Sequence, residues 1–317
     1  MIAFTCSYMA WCKFRLKALD GRNIMSSMIA LLDQLVKNEL FTDSKLPGVR
    51  FFMSNQHIPR TPLVYDPGIF IVAQGRKIGY LGVSIFQYDA NNYLVTSVPM
   101  PFECETFSTP TAPFLGLYID INIATLHELI GIMGLDGDLR NIQMSEVPKG
   151  VGPAELDEDM GDAVVRLLKC LQSETESKIL GPGLIKEILY RALCGTQASS
   201  LCALATHTGN FARISHALRS IHNDYASKLD VERLSQLANM SVSTFHRAFK
   251  EVTSESPVQY LKKIRLSRAR DFMLNEQMKA YIAADMVGYE SASQFSREFK
   301  RYFGQSPADM IRESRSA

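Results

Sequence analysis

The chain has 317 residues, 46% of them hydrophobic and 21% charged, with 34 Lys+Arg against 33 Asp+Glu and a net charge of +1. That length allows two domains with separate cores, and the balance excludes a largely disordered chain. The near-zero charge hides an asymmetry: residues 212–317 hold 17 basic against 12 acidic side chains (+5), which leaves 17 against 21 (−4) for 1–211. A basic end beside an acidic remainder points to nucleic-acid binding by the C-terminal part alone.

The apolar start, Met1 to Cys12, precedes its basic residues Lys13, Arg15 and Lys17 instead of following them. It is too short to span a membrane and lacks a cleavage site, so residues 1–25 read as an N-terminal extension or a misplaced start. Residues 26–40 carry Ile29, Leu32, Leu35 and Leu40 near one face, a leading helix. From 48 to about 120 the runs are short and β-rich: Val49–Met53, Ile69–Val72, Lys77–Leu81, Asn92–Thr96 and Phe114–Ile121. Turns at Pro67-Gly68, Gln74-Gly75 and 89–92 separate them, the pattern of a small barrel or sandwich with room for a small molecule. Gly75-Arg76-Lys77 reads as a turn.

After 122 the chain turns helical. Three stripes (Ile123, Leu126, Leu129, Ile130, Met133; Met160, Val164, Leu167, Leu168, Leu171; Leu184, Ile185, Ile188, Leu189, Leu193) suit either this chain's own core or a homodimer contact. A linker helix is expected over 196–222.

A ten-residue stretch then occurs twice, fifty positions apart: SVSTFHRAFK at 241–250 and SASQFSREFK at 291–300, with six of ten positions identical. In each copy a short helix (Val231 to Ala238, or Tyr281 to Val287) meets a tight turn and a serine N-cap, Ser241 or Ser291. In the following helix Phe245 and Phe249, or Phe295 and Phe299, share one face at i and i+4. The other face carries Ser243, Thr244, His246 and Arg247, or Ser293, Gln294, Ser296 and Arg297. Short donors and acceptors beside one arginine fork are the residue types that read base edges in a major groove, and Lys250 or Lys300 suits a phosphate. An ordinary polar surface helix is the blander reading, which the duplication argues against.

Enzyme chemistry finds few parts. Before the linker only His57 and His127 occur, His127-Glu128 lacks the second histidine of a zincin motif, and no phosphate-binding or nucleophile-elbow motif appears. No metal or cofactor is expected, and the chain is not read as an enzyme. Six cysteines (Cys6, Cys12, Cys104, Cys170, Cys194, Cys202) form no C-x-x-C pair, as for free thiols in a reducing cytoplasm. Cys104 is the one thiol read as a candidate electrophile sensor. Its neighbours Glu103 and Glu105 disfavour a thiolate, and a space-filling strand cysteine is the simpler reading.

Two stretches carry a resemblance. Residues 212–312, through Leu234-x-x-Leu237-Ala238, Ser256-Pro257, Arg265 and GYESASQFSREFKRYFGQSP, resemble the paired helix-turn-helix domain of AraC-type transcription regulators. Residues 48–195, through Arg60 to Gly68, Gly75 to Tyr80, Tyr88 to Leu94 and Val98 to Glu105, resemble that family's cupin-like N-terminal domain. Within this branch the chain is similar to aldehyde-responsive activators of aldehyde reductase genes.

The resemblance implies an α+β chain: an N-terminal small β-barrel with helices (26–195) for effector sensing and dimerisation, then a C-terminal all-α tandem helix-turn-helix domain (212–312). Its modules fall at about 231–250 and 281–300, and Ala292 joins the groove residues of the second. The implied partners are operator DNA, a small-molecule effector, a second copy of the chain and, for an activator, RNA polymerase. Tyr65 and Tyr80 join Cys104 as candidate effector-sensing residues. A cupin-type metal enzyme with a vestigial C-terminal domain, and a protein-interaction adaptor, stand as alternatives.

Overall fold

The computed structural model describes residues 24–37, 40–134, 149–205 and 209–314. Cys6, Cys12 and the extension expected at 1–25 lie outside them, except that residues 24 and 25 open the first helix. That helix, α1, covers 24–35 and seats Met28 and Leu32 in the core. It does not reach Leu40 as expected, because Leu40 opens the first strand.

Ten strands follow: β1 Leu40–Asp43, β2 Val49–Ser54, β3 Ile58–Tyr65, β4 Gly68–Gln74, β5 Arg76–Leu81, β6 Ser84–Asp89, β7 Asn92–Thr96, β8 Met100–Phe107, β9 Phe114–Asp120 and β10 Val151–Glu155. They form two antiparallel sheets, β1-β2-β9-β4-β7-β10 and β3-β8-β5-β6. The inner faces meet through aromatic side chains: Phe70 of the larger sheet lies 5.8 Å from Tyr88 and 6.3 Å from Tyr65 of the smaller, centroid to centroid. Such edge-on pairs add to the apolar area they bury.

All three turns expected in the β region fall at strand junctions, with Gly68 and Gln74 themselves the two ends of β4. At Gly75 the reason is visible: φ is +82°, and a Cβ would meet Phe114 at 3.0 Å. The turn ends there, however. Arg76 and Lys77 belong to β5, where alternation turns Lys77 inward. Strands β3, β8 and β10 contain prolines, which lack the ladder donor. β3 and β10 lie at sheet edges, and Pro101 of β8 pairs with Val64 beyond the last β5–β8 pair, Tyr80↔Glu103.

Helices α2 Ile123–Ile132, α3 Glu158–Cys170, α4 Glu174–Ile179 and α5 Gly181–Cys194 come next, with β10 between α2 and α3 in the chain. Met160, Val164, Leu167, Leu168 and Leu171 are all buried within the chain, as are Ile188, Leu189 and Leu193, so these stripes serve its own core. The expected linker helix is two helices, α6 Ala198–Ala205 and α7 Gly209–Asp224, the second opening at Gly209 with φ +82°. The rest is α8 Val231–Leu237, α9 Val242–Thr253, α10 Pro257–Leu274, α11 Ala280–Met286, α12 Ala292–Phe303 and α13 Pro307–Ser314. Among the described residues no helix is long and apolar enough to cross a membrane.

Candidate nucleic-acid interface and effector cavity

The two modules, α8–α9 and α11–α12, repeat one construction. In each turn one residue takes a left-handed backbone, Asn239 at φ +50° and Gly288 at φ +82°. The next residue donates back to the first helix: Met240 N to Ser235 O at 2.9 Å, and Tyr289 N to Ala284 O at 3.0 Å. Only glycine fits at 288, since a Cβ there would lie 2.4 Å from the Ala226 carbonyl oxygen. Ser241 and Ser291 then cap their helices, each accepting at 3.3 Å from the backbone N–H three residues on, Thr244 or Gln294. The phenylalanine pairs sit behind: Phe245–Phe249 and Phe295–Phe299 are each 5.4 Å between ring centroids, and all four are buried.

The forward faces are open. Ser243, His246, Arg247 and Lys250 are exposed on α9, and Ala292, Ser293, Gln294, Ser296, Arg297 and Lys300 on α12. Among the described residues none of Arg247, Lys250, Arg297 or Lys300 enters an ion pair, so their charges point to solvent. Three expected readers are partly engaged, Ser243 through its Oγ at 3.3 Å from Ser241 Oγ. Thr244 is half-buried and its Oγ1 accepts from Ser241 at 2.9 Å, and Gln294 Nε2 donates to Glu298 at 3.2 Å.

Between the sheets and α10 lies a cavity of about 590 Å³. Phe52, Tyr65, Lys77, Cys104, Thr106 and Tyr118 form its β wall, and Ile264, Ser267, Arg268, Arg270, Asp271 and Leu274 its α10 wall. His222 of α7 also borders it. Thus one wall comes from the helix that joins the two modules. Of the expected effector residues, Tyr65 and Cys104 meet here, with Tyr65 Oη 3.7 Å from Cys104 Sγ. Tyr80 does not: it lies on the outer face of β5, its hydroxyl donating to Glu105 at 2.9 Å. Nor do Glu103 and Glu105 face Cys104. Strand alternation turns both outward, to Arg60 and His57.

Sequence reasoning missed Lys77. Its side chain is 1% exposed, its Nζ lies 4.0 Å from the Phe52 ring centroid and 4.9 Å from that of Phe70, and Tyr65 Oη accepts from it at 3.3 Å. Burial lowers its pKa to about 8, the neighbouring Cys104 opposing the shift. The alternation Lys77-x-Gly79-x-Leu81 was the available signal. Elsewhere around the cavity, burial raises the Asp271 pKa, and burial together with Arg268 lowers that of His222 to about 4. Among the described residues no three of His, Cys, Asp and Glu converge to hold a metal ion.

A family model described as the AraC-type transcriptional regulator N-terminus matches residues 45–200, and one for a helix-turn-helix domain matches 234–313. The chain is 30% identical over 155 residues to the transcriptional activator RhaS of Klebsiella pneumoniae, covering 49% of this chain and 54% of that protein. It is 36% identical over 101 residues to the transcriptional regulator AlkR of Acinetobacter baylyi, covering 32% and 33%. The matched part thus spans about half the length of RhaS and a third of AlkR. Among solved structures, an apo variant of ToxT from Vibrio cholerae superposes with TM-score 0.56 at 13% identity, covering 86% of this chain and 98% of that one. At that identity the likeness shows the fold. These relatives are regulators and not enzymes, so the metal-enzyme alternative finds no support.

Proposed function

The chain belongs to the AraC-type transcriptional regulators, and we propose that it is a sequence-specific DNA-binding activator controlled by a small molecule in the barrel–α10 cavity. The observation that carries the DNA-binding half is the duplicated construction, which presents Arg247 and Arg297 at matching places on two capped, exposed helix faces. Arg247 and Arg297 engage base edges through two bonds each, aided by Ser243, His246, Ser293 and Ser296. Lys250 and Lys300 neutralise phosphates. Thr244 and Gln294 contribute once released from their present partners.

Control follows from the shared wall. An occupant of the cavity touches β strands on one side and α10 on the other, and α10 carries the second module. It shifts DNA affinity to the extent that it binds the two arrangements of α10 unequally. Reactive aldehydes are the proposed effectors. A second copy of the chain and RNA polymerase are the further partners of this reading, and its compartment is the cytoplasm.

The test is a DNA-binding titration on the region upstream of the protein's own gene, with excess random competitor, with and without a short aldehyde. Competitor-resistant binding that shifts with aldehyde is expected. Failure to enrich any sequence from a random library, at any salt, would overturn the DNA-binding reading.

A further inference from the structure

Lys77 has no part in DNA recognition, yet it places an amine inside the β wall with no carboxylate paired to it among the described residues. A buried ammonium without an acid partner is costly. Aromatic rings on several sides, Phe52, Phe70 and Phe114 at 4.0, 4.9 and 5.2 Å from Nζ, recover part of that cost. The amine opens onto the cavity beside two phenols and a thiol: Tyr65 Oη is 3.3 Å from Nζ, and Tyr88 Oη is 3.0 Å from Tyr65 Oη and 3.3 Å from Cys104 Sγ.

We propose that Lys77 is a covalent capture site for a carbonyl-bearing effector, forming an imine with an aldehyde held between the aromatic floor and α10. The proposal rests on reading the cavity as the effector site. In the step, the neutral amine's lone pair forms a bond to the carbonyl carbon as the C=O pair moves to oxygen. A proton transfers from nitrogen to that oxygen, giving a carbinolamine. Loss of the oxygen as water, carrying both amine hydrogens, leaves a C=N bond. No oxidant or reductant is consumed. The Tyr65 hydroxyl touches the amine and, through Tyr88, continues as a proton path; burial holds both phenols well above their ordinary pKa, so they remain donors. With its pKa near 8, Lys77 is neutral in about a tenth of molecules at pH 7, against a few in ten thousand for an ordinary lysine. The bond is assigned to nitrogen. Cys104 lines the site without forming it.

The experiment treats the full chain with hexanal and cyanoborohydride at pH 7, which fixes any imine as a hexylated amine, and maps the modified lysines by peptide mass. Lys77 should be alkylated at least about tenfold faster than the exposed lysines, with a rate that climbs from pH 6 to 8. Lys77→Met should lose the fast adduct and the aldehyde response in DNA binding, while Cys104→Ser keeps both. Alkylation spread over exposed lysines with Lys77 untouched would overturn the proposal on the wild-type protein alone, whether or not the variants fold. So would an equal DNA-binding response to hexanoate, which has no aldehyde. Loss of DNA binding in untreated protein would count against the regulator reading, and an adduct at Lys77 that leaves DNA binding unchanged against the effector role of the cavity. Neither changes the mapping result.

Discussion

The two helix-turn-helix modules share a construction but not a foundation. Behind α9, Phe245, Phe249 and Val252 belong to the same continuous core as the β sheets, which runs on through Tyr260 and Ile264 of α10. Hydrogen bonds seal that joint: Gly150 N donates to Val252 O at 3.1 Å, Tyr260 Oη to Pro99 O at 2.5 Å, and Arg270 Nη1 to Pro62 O at 3.2 Å. Behind α12, Phe295 and Phe299 close a second core with Leu266, Ala269, Met273, Ala283, Ala284, Val287 and Met310. That core is tied to its surroundings by polar links. Arg265 donates to Tyr225 O, Ser227 O and Gly288 O at 2.8, 2.9 and 3.3 Å, and Glu298 accepts from Lys262 at 2.9 Å and Tyr289 at 2.8 Å. Two near-identical recognition units are thus mounted differently: the first shares the apolar core of the β sheets, whereas the second closes a separate core with the C-terminal half of α10 and is tied to α10 and to residues 225–227 by hydrogen bonds. Apolar cores resist partial change, whereas hydrogen-bonded joints exchange partners with little rearrangement.

The largest effects should come from breaking the two cores separately. Phe299→Ala and Phe249→Ala each remove a fully buried ring and should cost about 3–5 kcal/mol. Amide exchange should show Phe299→Ala opening only α11–α13, and Phe249→Ala loosening α9 together with the adjoining strands. Equal global loss in both variants would erase the distinction drawn between the modules.

Acid should act on the first joint next. Neutral His222 lies 2.9 Å from the Tyr260 hydroxyl, and its pKa falls from 6.5 in the unfolded chain to about 4 in the folded one. Between those values the unfolded chain binds the extra proton, so stability is full above pH 6.5 and drains as pH falls towards 4. The loss from this group reaches about 3 kcal/mol at most. Denaturation midpoints across that window should flatten in His222→Phe.

Smaller effects sharpen the comparison. Arg265→Ala removes three donated bonds and should cost about 1.5–3 kcal/mol, with exchange rising around Gly288 and no change in the β sheets. Arg247→Ala and Arg297→Ala should each cost about 1–3 kcal/mol on the operator and relax specificity in one half-site only. Equal losses on random DNA would argue against base reading. Lys250→Ala should weaken all sequences alike and lower the salt slope by about one.

The recognition half was legible because its signals are local. The spacing of Phe245, Phe249, Phe295 and Phe299, the serine caps and Gly288 are properties of short segments, and each took the expected place. The β half was legible where turns and unbroken apolar runs mark strands, and obscure where proline interrupts them, as in β3 and β8. Leu40 followed the apolar spacing of α1 yet opens β1, because pairing of Phe41 with Phe52 decides it. The cavity was legible only through Tyr65 and Cys104. Tyr65, Lys77, Cys104 and Arg268 are brought together from three strands and a helix some two hundred residues apart in the chain. No local pattern marks such a set, and Lys77 in particular stands next to a glycine turn that absorbs attention.

The bond from Tyr260 to Pro99 joins residues 161 positions apart, so during synthesis it can form only after α10 has emerged. The β sheets leave the ribosome first and offer a finished apolar floor on which α7, α9 and α10 can settle as they emerge. The α11–α13 core takes Leu266, Ala269 and Met273 from α10 and packs against Tyr225, so it can close last, on a helix already seated. The chain therefore acquires its β sheets and first recognition helix as one piece, and its second as an addition built on α10.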